Sequence, residues 1–113
     1  MINTAKTREL DAPDLSPFEI DRIDLAGSVL VIDPPLILTP ISDAENAGLL
    51  TVEDGEFNLC VGAETRGALE DEVRQHLAFM WREYALEDPE KLTADAQQLR
   101  TALRTRMREN HAA

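Results

Sequence analysis

A single cysteine among 113 residues rules out an internal disulfide. Two histidines leave too few ligands for a metal centre, which needs three or four convergent groups. No stretch approaches the roughly 20 consecutive apolar residues of a membrane-spanning helix. The first ten residues are polar and lack the apolar centre of a secretion signal, so the expected location is the cytoplasm. Positive charge is scarce as well: 11 Lys and Arg stand against 22 Asp and Glu, for a formal net charge of −11. Such a chain repels nucleic-acid phosphates and anionic lipid, and attracts a basic protein. Neither nucleic acid nor a membrane is expected as its main partner.

The remaining composition is that of a folded chain, with an ordinary apolar share and charge of mixed sign. The length suits one domain with its own core. Charge is unevenly spread. Residues 1–90 carry 20 acidic and 6 basic side chains, whereas residues 91–113 carry 2 and 5. The expected organisation is a flexible N-terminal arm over residues 1–16, a single α+β domain over 17–109 and a short tail over 110–113.

Within 18–62 the apolar residues alternate as strands require. Phe18, Ile20, Ile23 and Leu25 alternate with Glu19, Asp21, Arg22 and Asp24, and the phase slips at Arg22, which predicts a bulge. A turn at Ala26, Gly27 and Ser28 leads to the apolar run Val29 to Ile32, which Asp33, Pro34 and Pro35 are expected to stop. Leu36 to Thr39 is extended, Pro40 lies past its end, and residues 42–48 read as a loop. Leu50 and Val52, then Phe57, Leu59 and Val61, flank Asp54-Gly55, the dipeptide favoured in a two-residue type I′ hairpin turn.

The apolar face of that hairpin needs a cover, and one follows. Thr65 suits an N-cap, and Leu69, Val73, Leu77, Met80 and Tyr84 recur at helical spacing, predicting a helix over about 66–86. Pro89 interrupts the pattern. Thr93 caps a second helix, expected over 93–109, with Leu92, Ala96, Leu99, Leu103 and Met107 on one face. The fold expected is therefore α+β: a small, mostly antiparallel sheet of three to four strands, one long amphipathic helix packed on it, and a second C-terminal helix.

No pattern carries catalysis. Cys60 sits opposite Phe57, Leu59 and Val61 in the strand alternation, among acidic neighbours where a reactive cysteine needs a positive one, so no nucleophile is expected there. Glu72 and His76, one turn apart, are two ligands where a metal needs more. Glu70, Asp71 and Glu72 diverge around the helix and cannot share a cleft. No enzyme and no cofactor are expected. Phe79, Met80, Trp81 and Tyr84 read first as core; should the wide stripe instead be a partner groove, Trp81 is its anchor, and the other candidate partner contacts are Arg100, Arg104 and Arg108, for which the alternative is a solvated face or a contact within the chain.

The run Cys60, Val61, Gly62, Ala63, Glu64 and Thr65, continued by Leu69, Val73 and Leu77, resembles HicB-like antitoxin-type small bacterial proteins. In these a strand ending near a cysteine passes through a Gly-x-Thr turn into a helix lying across a small antiparallel sheet. The likeness takes in the strand at 49–53 and about half the chain. The family's turn glycine is Ala63 here, with Gly62 displaced by one. Only one helix follows Pro89, so the family's DNA-binding module is not carried over. The resemblance implies a non-enzymatic inhibitor of a small basic RNA-cleaving toxin. The alternative is a structural self-assembling homo-oligomer, for which a dimer is expected from the two apolar helical faces.

Overall fold

The computed structural model describes residues 14–43, 45 and 48–111. Among these residues six strands and two α-helices follow in the order β1 (Phe18–Leu25), β2 (Ser28–Leu38), β3 (Ile41–Asp43), β4 (Leu49–Asp54), β5 (Leu59–Ala63), α1 (Arg66–Met80), α2 (Ala94–Arg106) and β6 (Met107–His111). The class is α+β with antiparallel pairing throughout, and the strands divide into two three-stranded sheets, β1-β2-β6 and β3-β4-β5.

The phase slip at Arg22 is a register shift between Ile20 and Arg22, which keeps Ile20 and Ile23 both facing inward. The prolines do not stop β2. It runs on to Leu38 because Pro34 and Pro35 fall where β2 pairs with neither neighbour: the β1 ladder jumps from Val31 to Leu36, and β6 reaches only Ile32. A residue with no amide proton costs nothing at such a site. The Asp33–Pro34 peptide is cis. In the expected loop at 42–48, residues Ser42 and Asp43 pair with β4 instead.

The β4-β5 hairpin also differs from expectation. Its loop has four residues, since Asp54 pairs with Leu59. A two-residue turn at Asp54-Gly55 would set Glu53 directly opposite Glu56, an unfavourable like-charge pair. The observed register pairs Glu53 with Cys60 and lets Phe57 drop wholly into the core from within the loop. The Asp54 carboxylate accepts from the Phe57 amide at 3.1 Å, and Asn58 takes the left-handed conformation (φ 52°), which asparagine tolerates.

Helix α1 starts where expected, with the Thr65 hydroxyl accepting from the Ala68 amide at 3.1 Å. Its inward stripe of Leu69, Val73, Leu77, Ala78 and Met80 continues into a π-helical turn, Trp81–Ala85. Inner faces of both sheets join this stripe in one core, with Phe18, Ile20, Ile23, Leu30 and Ile32 from one and Leu50, Val52 and Leu59 from the other.

The second helix is shorter than the expected 93–109. Thr93 caps it, but it ends at Arg106, and Met107 turns to extended geometry (φ −129°, ψ 152°). Residues 107–111 then form β6 on the free edge of β2, so Asn110 and His111, expected in a tail, lie in a strand. Leaving the helix costs few apolar contacts because Met107 is buried in the strand as well. It also satisfies backbone groups of β2 that would otherwise face water along an open edge. Of the expected N-terminal arm, residues 1–13 lie outside the described part. Asp14, Ser16 and Pro17 are held by Arg66, whose guanidinium donates to the carbonyls of all three at 2.7–3.3 Å.

Burial along α1 can be checked by truncation. Leu77→Ala removes a fully buried side chain and is expected to lower unfolding free energy by about 2–5 kcal/mol in urea titration. Phe79→Ala, at a position 47 % exposed, should stay within about 1 kcal/mol of the parent.

Candidate functional site

The four residues singled out as partner contacts do not form a common surface. Trp81 is 4 % exposed and belongs to the core, so it is not an exposed anchor. Its indole Nε1 donates to Glu109 Oε1 at 2.8 Å. Arg100, half-buried, and Arg104, exposed, share a face of α2 and reach the chain's own backbone, Arg100 Nε donating to the Glu87 carbonyl and Arg104 to the Ala85 carbonyl, each at 3.1 Å. Both close the carbonyl end of the α1 π-turn, where a helix dipole favours positive charge. The contact within the chain is thus the one made. Arg108 is not on that helix face, because the chain has already become β6; it is exposed on the outer face of the β1-β2-β6 sheet.

Two further arginines hold distant segments together. Arg66, at the start of α1, binds the segment before β1 and Glu70, and lies 5.4 Å from the Phe18 ring centroid. Arg106, at the end of α2, donates to Glu56 and to the Pro34 carbonyl, and lies 5.8 Å from the Phe57 ring. It joins α2, the hairpin loop and the proline segment of β2. Its Nε is buried with no hydrogen-bond partner among the described residues. Sequence reading passed over Arg106 because it lies off the 100, 104, 108 spacing and its partners are 50 or more residues away.

The polar group that ties the β1-β2-β6 sheet to α1 is Glu109, also missed. It lies on the inner side of β6 beside Met107, where the strand period would place an apolar residue. Oε2 accepts from Ser28 Oγ at 2.7 Å and Oε1 from Trp81, while His111 Nε2 stands 3.9 Å from Oε2. The Ser28 hydrogen bond first, then that of Trp81, holds this carboxyl below the usual glutamate range; burial opposes them, and nearby His111 adds to the lowering. Serine, glutamate and histidine are together here, yet the arrangement does not activate a nucleophile. The Ser28 proton points at the carboxylate, and His111 is 77 % exposed and contacts the acid, not the serine. The cluster is a structural latch.

Cys60 is exposed, with Sγ 3.8 Å from a Glu53 carboxylate oxygen. Among the described residues no three His, Cys, Asp or Glu side chains converge as metal ligands. No described helix is long and apolar enough to cross a membrane.

No family model, curated protein or solved structure matches the chain. What it binds must therefore be argued from its own surface. On that surface Glu64, Glu72 and Glu83 are exposed along the approach to α1, α1 itself and its π-turn, and none has a side-chain partner among the described residues. The cations Arg66, Arg100, Arg104 and Arg106 are by contrast directed at carbonyls of this chain.

The Glu109 latch predicts a pH signature. A carboxyl lowered on folding contributes stability above its unfolded pKa, and that contribution is lost as pH falls through the folded value. Acidification below the ordinary glutamate range should therefore destabilise the parent more than Glu109→Gln. At neutral pH Glu109→Ala leaves a buried indole donor unpaired and is expected to cost about 1–3 kcal/mol. Denaturant titration followed by fluorescence of the one tryptophan reads both.

Proposed function

We propose that this chain is a non-enzymatic interaction module that binds a small basic protein through the carboxylates exposed along α1, in the manner of a HicB-like antitoxin. The observation that carries this reading is the division of charge: four arginines, Arg66, Arg100, Arg104 and Arg106, reach the chain's own carbonyls, while Glu64, Glu72 and Glu83 have no side-chain partner among the described residues. A surface of this kind steers a basic partner and adds specificity through complementary charge. The likeness to the antitoxin type is supported by the order of parts, with β5 carrying Cys60 and leading through Gly62 and Thr65 into a helix that lies on a sheet. A free, exposed thiol suits a reducing compartment, and the cytoplasm is the location this reading implies.

A second reading, self-assembly, is favoured by a different surface. The outer face of the β1-β2-β6 sheet, turned away from the core, carries Val29 and Val31, both half-buried, on its central strand, and no described helix or strand packs over them.

The basic-partner reading is tested by tagged recovery from the source cell, with native mass spectrometry of the eluate. A stoichiometric small basic protein is expected, with affinity that falls as salt rises. Glu64→Gln, Glu72→Gln and Glu83→Gln combined should weaken binding and flatten its salt dependence while leaving the melting curve in place. Recovery of the chain without such a partner, or affinity indifferent to both salt and the three substitutions, overturns it.

A further inference from the structure

The outer face of the β1-β2-β6 sheet has an order of side chains that the core does not require. Register places Asp24, Val29 and Asn110 in one row across the three strands, and Arg22, Val31 and Arg108 in the next. Both valines are half-buried and the four polar residues are exposed. None of the four makes a side-chain hydrogen bond or ion pair with the described residues, and Arg22 and Asp24, neighbours on one strand face, are not paired with each other. A depression of about 590 Å³ adjoins these rows towards the β1-β2 turn, bordered by Arg22, Gly27, Ser28, Val29, Val31 and Asn110.

The two rows are complementary to each other, and we propose that this face is the contact between two copies of the chain. The proposal deepens the self-assembly reading and does not depend on a basic partner. A two-fold axis in the plane of the contact, perpendicular to the strands and midway between the rows, lays each row over the other row of the second copy. Asp24 then faces the partner's Arg22, Val29 faces the partner's Val31, and Asn110 faces the partner's Arg108, and each pairing occurs twice, as an isologous contact requires. The sheets stack face to face at the ordinary separation of about 10 Å, bridged by the arginine side chains, whose aliphatic stems cover the valines. The other in-plane axis, parallel to the strands, would set Arg22 against the partner's Arg108 and is disfavoured by like charge. A centre of two valines per copy makes a small contact, so the dimer dissociates at about micromolar concentration or above.

The test is analytical ultracentrifugation of the full chain from about 1 to about 300 μM, a range that brackets that dissociation constant. The parent should pass from monomer to dimer. Arg22→Asp and Asp24→Arg should each weaken the dimer at least about tenfold, since each sets like charges face to face at two places. Combined in one chain they exchange the two signs and should restore association to within about threefold of the parent, which shows that neither change acts by unfolding the sheet. Asp24→Arg is decisive against a general charge effect. It brings the chain closer to neutrality, so if repulsion between two acidic copies were all that mattered, the dimer would tighten. A tighter dimer with Asp24→Arg, a chain that stays monomeric over the whole range, or a dimer indifferent to Arg22→Asp and Val31→Asp would each overturn the proposal.

Discussion

Everything in this fold depends on α1 serving two sheets at once. Neither three-stranded sheet closes on itself, and each leaves one apolar face that must leave water. The stripe Leu69, Val73 and Leu77 is the seam at which both faces meet, and the π-helical turn at its end extends that seam to Trp81 and Ala85. Once α1 is fixed, the remaining elements have defined tasks. β6 occupies the open edge of β2, α2 packs beside the π-turn, and the β4-β5 loop delivers Phe57 into the remaining space.

Arginine makes these placements specific. A guanidinium offers several donors in a rigid fork and stays charged when half-buried, which suits it to segments whose backbone carbonyls lack regular partners. Each of the four arginines that reach backbone carbonyls serves such a segment: the entry to β1, the proline stretch of β2, and two positions at the end of the π-turn. A consequence follows for the surface. Guanidinium groups anchored to the chain's own carbonyls are poorly placed to reach a partner, so the exposed carboxylates dominate what a partner meets.

Legibility in the sequence followed the range of the interactions. The Thr65 and Thr93 caps, the α1 stripe, the bulge at Arg22 and the outward Cys60 rest on contacts within a few residues, and spacing reveals them. β6 was hidden because Met107 to His111 continues a passable helical pattern, and only the free edge of β2, some 80 residues earlier, turns it into a strand. Helical spacing allowed Trp81 to be core or a groove anchor, and its place in the core is completed by Glu109, on a strand the local pattern does not announce. The regular spacing of Arg100, Arg104 and Arg108 was misleading because it assumed a helix that stops before the third of them. The short hairpin turn read from Asp54-Gly55 failed on a non-local account too, since Glu56 is drawn to Arg106 on α2.

The two surfaces argued above are compatible, and one reinforces the other. Among the described cations, the side chains of Arg22, Arg82, Lys91 and Arg108 make no hydrogen bond or ion pair with described residues. In the proposed dimer Arg22 and Arg108 are enclosed between the sheets, facing Asp24 and Asn110 of the other copy. Of the described cations without an internal partner, only Arg82 and Lys91 then remain outside to offset the carboxylates. The α1 helices lie on the far side of each sheet from the contact, so dimerisation covers neither. A basic partner therefore meets a more uniformly negative surface on the dimer than on the monomer, twice over and on opposite sides. Steering grows with the net field of the assembly, and paired sites add avidity to a partner that is itself two-fold. Self-association through a nearly balanced face is thus the arrangement that leaves an acidic chain most available to a basic one.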